Sequence, residues 1–395
     1  MGRSFAVDTH RHWNIQHASQ AKNTCCRPAA KYPLEGCRFT VDTVKNTDYK
    51  RWLIVAPLSI ALGALLAWAH VPAAWILGAI VVSGVVALST GHDMHVARPV
   101  YAASRAVIGV IAGIPVVGIT WGQVGSFIIP GLCIALLTTA FGLAGGYVLA
   151  RSDRTIDANT GVLSMLPGGA SMMPVLASEL GADYRYVSLV QYLRLLIVSV
   201  TLPLVAGLFP GDGAAQLDDP RLSVAELFIA AAVVAVLAGV GSWAGRLLHL
   251  PVPSVVGPLA LTVVVGSFVP ADYAALLTVP APLAVFAFVC IGWICGGGLS
   301  LPTLKVFARQ LPVTVTVIVL MMAACAGAGW LLTLAIDATG LEGYLATSPG
   351  ALETVLALAS EGHAGAVVVV LQIIRLLTVI VVASYVPAIL RRLRR

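Results

Sequence analysis

Two sets of polar residues stand inside otherwise apolar sequence, and they are copies of each other. The first runs Leu166-Pro167-Gly168-Gly169, then Ser171, Glu179 and Gln191-Tyr192-Leu193-Arg194. The second runs Ser348-Pro349-Gly350-Ala351, then Glu353, Glu361 and Gln372-Ile373-Ile374-Arg375. Proline to glutamate is 12 residues in both, and glutamate to glutamine is 12 in the first and 11 in the second. An arginine deep in an apolar span costs at least ~2.5–3.5 kcal/mol on insertion scales. Arg194 and Arg375 therefore each need a carboxylate, a cluster of carbonyls or a bound anion. Glu179, Glu361 and Glu353 are the candidate carboxylates. Gln191 and Gln372 precede the arginines by three residues and share their helix face. Two uses fit equally: pairs that pin a broken segment to the next helix, or arginines that bind a solute. Ser171 and Ser348, near the tips, fit the lining of a pathway. Together these residues form one expected substrate-binding set.

The Pro-Gly elements imply breaks in their helices. Irregular backbone at bilayer depth is tolerated only where it is buried in protein or lines a wet cavity. Half-helix N-termini there attract anions, and carbonyl ends attract cations or protons. Pro167 and Pro349 are expected just ahead of second half-helices, where proline costs little.

The elements that must position this set are membrane spans. The chain of 395 residues is 58% hydrophobic and 11% charged, with a mean hydropathy of +0.91, whereas soluble domains are about one-quarter charged. Short alternating segments of the β-barrel kind are absent. Apolar segments fall near 53–69, 72–90, 100–119, 126–150, 158–180 (interrupted), 185–209, 223–245, 252–270, 281–300, 311–336, 343–361 (interrupted) and 366–390. Residues 1–50 form a polar leader, expected to be disordered, without the apolar stretch of a signal peptide. The acidic stretch 211–222 links a first membrane repeat (51–210) to a second (223–395) with a basic tail.

The duplication reaches beyond the opening sets. Pro72 and Gly78 match Pro251 and Gly257, Ile108-Gly109 matches Ile291-Gly292, and Gly146-Tyr147 matches Gly329-Trp330, with offsets of 179–183 throughout. Basic residues mark cytoplasmic loops. Arg151 and Arg154 correspond to Asp337 and Glu342, the uncharged loop at Trp121 to Lys305 and Arg309, and Arg98 to Asp272. Corresponding loops thus lie on opposite sides, and the copies are inverted. Inversion needs an odd number of crossings per copy. If each interrupted piece enters and returns on one side, each copy has five. The expected fold is an all-α, polytopic membrane protein of two inverted repeats, with about ten full spans and two broken or re-entrant segments. Both termini then lie in the cytoplasm, in a bacterial inner membrane, and 211–222 lies outside.

The net charge of +6 serves topology under this reading, and direct nucleic-acid binding is not expected. His10, His12 and His17 near Cys25 and Cys26 match no usual zinc spacing, and Cys290 and Cys295 have no histidine nearby. Gly-x-Ser-x-Gly, Walker, dinucleotide and His-Glu-x-x-His signatures are all missing. No enzyme constellation and no cofactor are expected.

At Leu166-Pro167-Gly168-Gly169, Glu179-Leu180-Gly181-Ala182-Asp183, Gln191-Tyr192-Leu193-Arg194 and their second copies, the chain resembles the AbrB family of duplicated bacterial membrane proteins. The resemblance covers residue 51 to the end. It implies labels such as ammonia monooxygenase and regulator of gene expression, for which the residues offer no copper or iron ligand set and no DNA-binding motif. Two departures make the copies unequal: the second tip reads Pro-Gly-Ala, and Glu361-Gly362-His363 lacks the aspartate found at Asp183. The functional expectation is a secondary transporter of a small, anionic solute through a site between the repeats. Proton or sodium coupling and homo-oligomerisation are left open. The competing expectation is a membrane regulator that affects gene expression indirectly, without transport.

Overall fold

The computed structural model describes residues 46–71, 73–153, 155–167, 173–206, 223–270, 277–298, 301–336, 338–361 and 364–393. Expectations placed on residues 1–45, Gly168, Gly169, Ser171, the 211–222 linker and His363 lie outside the described residues, as do the side chains of Glu179 and Glu361. Every regular element among the described residues is helical. In the first copy these are α1 (Asn46–Trp68), α2 (Ala74–Thr90), α3 (Arg98–Gly113), α4 (Trp121–Ser152), the pair α5 (Ala158–Met165) and α6 (Met173–Glu179), and α7 (Tyr184–Ala206). The second copy has α8 (Val224–Leu247), α9 (Pro253–Phe268), α10 (Ala281–Gly297), α11 (Leu301–Val306), α12 (Leu311–Ala335), the pair α13 (Gly340–Thr347) and α14 (Leu352–Glu361), and α15 (Ala366–Leu393). The first helix starts at Asn46, inside the stretch expected to be a leader.

Among the described residues, six helices, α1, α3, α4, α8, α12 and α15, are long and apolar enough to cross a membrane, and α2, α9 and α10 are shorter apolar helices. Their outward faces are apolar too: Trp68, Phe228, Phe268 and Trp330 are all exposed. Large apolar side chains exposed in this number fit a lipid surround. Polar residues cluster at helix starts. Capping boxes of Thr120 with Gln123, Ser223 with Glu226 and Thr339 with Glu342 open α4, α8 and α13, satisfying N–H groups that have no partner within the helix.

One unusual backbone turn recurs at the positions that the sequence offsets pair. Among the described residues, four non-glycine residues take positive φ: His70 and Ala73 before α2, and His249 and Val252 before α9. They are equivalent pairs, since 70 + 179 = 249 and 73 + 179 = 252. A β-branched residue such as Val252 is rare in that region, so the turn geometry, not the residue type, is what both copies keep.

Two glycine crossings hold the broken pieces in place. A Cβ on Gly146 of α4 would stand 2.5 Å from the Val162 Cα of α5, and one on Gly329 of α12 would stand 2.5 Å from the Gly343 carbonyl oxygen of α13. Only glycine lets these backbones touch. The equivalent helices α4 and α12 pack on each other and run antiparallel. Gly145, late in α4, meets Val317, early in α12, while Ile134, early in α4, shares an apolar cluster with Ala328 and Leu332, late in α12. The copies also exchange partners: α2 packs on α10, and α3 packs on α9.

Candidate functional site

The last carbonyls of any helix lack an intrahelical donor, and α5 and α13 end inside the protein. Side chains from the helix after each break supply the donors. Gln191 on α7 donates through Nε2 to the carbonyls of Leu163 (3.0 Å), Ser164 (3.2 Å) and Leu166 (3.1 Å). Arg194 donates through Nη1 to Met165 and Leu166 (both 3.1 Å), and through Nη2 to the Gln191 Oε1 (2.7 Å). In the second copy Gln372 donates to Leu345 (2.6 Å) and Ala346 (3.4 Å), and Arg375 donates to the carbonyls of Ser348 and Gly350 (2.9 Å for the latter). Cations at helix C-termini also meet the negative end of the dipole. All four side chains are buried, the arginines at 4% and 3% exposure.

The carbonyl cluster is therefore the partner that the arginines find. Among the described residues, every acceptor of Arg194 and Arg375 is a main-chain carbonyl or the Gln191 amide, and no carboxylate joins them. Glu353, one of the expected carboxylates, is bonded elsewhere. Pro167 and Pro349 follow the ends of α5 and α13 instead of opening α6 and α14. There proline stops the first half-helix from continuing. The Ser348 hydroxyl, expected to line a pathway, donates back to Leu345 O at 3.1 Å and is wholly buried.

Each broken piece doubles back, and its two ends are tied together. Thr160 Oγ1, at the start of α5, accepts the Asp183 N–H (3.0 Å), and Asn159 Nδ2 donates to Leu180 O (3.3 Å). Glu342 Oε1, at the start of α13, accepts the Gly365 N–H at 2.6 Å. These are equivalent ties, since 160 + 182 = 342 and 183 + 182 = 365. The two breaks also reach across to the other copy. A Cβ on Gly350 would lie 3.2 Å from Val198 Cγ1 of α7, and Val379 of α15 packs with Leu163, Leu166 and Met173 at the first break.

One polar group was not singled out from the sequence. Tyr101 on α3 donates its hydroxyl proton to Glu353 Oε1 (2.8 Å), and Arg105 Nε stands 3.8 Å from the same oxygen. The Arg105 guanidinium lies 5.0 Å from the Tyr101 ring centroid, in cation–π range. The available signal was a lone arginine in the apolar stretch 100–119, the same signal that marks Arg194.

The family model described as "Transition state regulatory protein AbrB" matches residues 75–394. A relative in Escherichia coli strain K12, called "Putative regulator AbrB", is 30% identical over 349 residues, covering 86% of this chain and 96% of the relative. "Uncharacterized protein YhjN" of Bacillus subtilis strain 168 is 30% identical over 166 residues, covering 38% of this chain and 41% of that protein.

Proposed function

The chain belongs to the AbrB family, and from that premise we propose that it is a secondary transporter. It moves a small anionic solute through a site where the two broken pieces meet. The observation that carries this reading is the pair of stapled breaks packed across the copies, Val198 against Gly350 and Val379 against the first break. Paired broken helices at the interface of two repeats are the usual build of a solute site. The charge supports an anion: Arg194 and Arg375 are held at the breaks by carbonyls, and Arg105 stands beside Glu353 just past the second break.

Under the same proposal the copies are inverted, with ten crossings and two re-entrant pieces. Support comes from the antiparallel run of α4 and α12 and from the tied ends of each broken piece. The inner membrane, cytoplasmic termini and a non-enzymatic role complete the reading. The name of the Escherichia coli relative favours a second reading, a membrane regulator without transport. A transporter reaches the same outcome by changing the level of a solute.

Proteoliposomes holding the purified protein separate the two. Uptake of radiolabelled small carboxylates under an imposed proton or sodium gradient, above that of empty liposomes, is the expected result. No uptake of any tested carboxylate under either gradient would leave the regulator reading in its place.

A further inference from the structure

We propose that Arg105 and Tyr101 form a carboxylate receptor that the chain's own Glu353 occupies in this structure. A small carboxylate solute takes that place when Glu353 accepts a proton. The inference rests on the transport reading and gives it a solute class and a coupling ion.

The geometry is that of a pair only half made. An arginine that commits to a carboxylate does so through two parallel bonds of about 2.7–2.9 Å. Arg105 Nε stays 3.8 Å from Glu353 Oε1 and has no hydrogen-bond partner. The Tyr101 hydroxyl, at 2.8 Å, supplies the one short bond to that carboxylate. The next residue, Thr354, is 1% exposed and its hydroxyl lies against the Cys295 thiol of α10. Donor capacity is thus left over around a carboxylate held in the first turn of α14, just past the second break.

Access separates this pair from the stapling arginines. The Arg105 and Glu353 side chains are 16% and 14% exposed, whereas Arg194 and Arg375 are 4% and 3% exposed. The second copy has no equivalent receptor, because positions 101 + 183 and 105 + 183 are Ala284 and Phe288.

The charge count links solute to proton. The groups facing Glu353 are Tyr101 and Arg105 from α3 and Cys295 from α10, with Tyr192 of α7 facing Tyr101. One cation thus balances one carboxylate. A second carboxylate entering on Arg105 would leave one uncompensated negative charge in an apolar region, which is costly. A proton from water on Glu353 restores the balance, and the Tyr101 O–H turns to the solute. Reversing both steps on the other side of the membrane releases one proton with each carboxylate charge.

Chemical rescue with acetate, which copies the end of the Glu353 side chain, tests the receptor. The full chain in detergent is melted in sodium acetate and in sodium chloride of equal ionic strength. Acetate should raise the Tm of Glu353→Ala by several degrees, and the rise should vanish in Glu353→Ala with Arg105→Met. If Glu353→Ala does not fold, Glu353→Ser opens the same space. In wild type, protection by acetate should grow as pH is lowered within the range where acetate stays ionised. In Glu353→Gln it should be present throughout that range. No acetate-specific rise in either small variant overturns the receptor, and a pH-independent wild-type response overturns the proton coupling. Rescue without any uptake in proteoliposomes would retain the receptor and remove transport; uptake without rescue would do the reverse.

Discussion

The two broken pieces share a backbone plan and diverge in chemistry. At the first, Gln191 and Arg194 act as one unit: the amide bridges three carbonyls and passes its oxygen to the guanidinium. At the second, Gln372 reaches two carbonyls, its oxygen has no partner, and Arg375 spans Ser348 and Gly350 by itself. The ties at the open ends differ too, a threonine hydroxyl at Thr160 and a glutamate carboxylate at Glu342, yet both hold the N–H that precedes the next long helix. What both copies preserve is the closing of buried carbonyls by a Gln-x-x-Arg on the following helix. What differs lies at the tips, where Glu353 in the second copy stands at the position of Ser171 in the first, since 171 + 182 = 353. Scaffolding is duplicated, and the charge available for chemistry is not.

Removing the shared part should have the largest effect. Arg194→Met leaves the Met165 carbonyl and the Gln191 oxygen without donors, and leaves the Leu166 carbonyl to Gln191 alone. At about 1–3 kcal/mol per orphaned buried group, the loss should be about 3–5 kcal/mol, read as a large fall in Tm in detergent. Arg375→Met should lose nearly as much. If either variant melts like wild type, its arginine does not staple the break.

The glutamines sharpen the difference between the copies. Gln191→Leu strips the Leu163 and Ser164 carbonyls and removes the acceptor of Arg194 Nη2, and should cost about 2–4 kcal/mol. Gln372→Leu strips two carbonyls, one of them at a long 3.4 Å, and should cost about 1–2 kcal/mol. The same melting measurement checks both. Equal losses, or a larger one at Gln372, would mean that the two breaks are closed alike.

Much of the scaffold was legible in the sequence because lipid leaves few alternatives. The apolar runs at 223–245 and 311–336 reappear as α8 and α12 within two residues at each end. The Pro-Gly elements marked both breaks, although the prolines end the first half-helices and do not begin the second. The partners of the arginines were less accessible. Met165 and Arg194 are 29 residues apart, and only the doubling back of α5 and α6 sets α5 beside α7. Carbonyls carry no sequence signal, so the glutamates were the visible candidates. Arg105 is hard to see in the sequence for a different reason: the repeat does not mark it, since its equivalent, Phe288, is a buried apolar residue.

A solute site between the copies requires that they be inverted, and equivalent helix ends test that directly. Ser152 ends α4, and Ala338 lies just past the end of α12. Single cysteines at Ser152→Cys, Ala308→Cys and Ala338→Cys, in a cysteine-free background, can be treated on intact cells with a membrane-impermeant thiol reagent. The account predicts labelling from outside at position 338, and at 152 and 308 only after the membrane is opened. Labelling of 152 and 338 from the same side, or of 308 from outside, would make the copies parallel and contradict it.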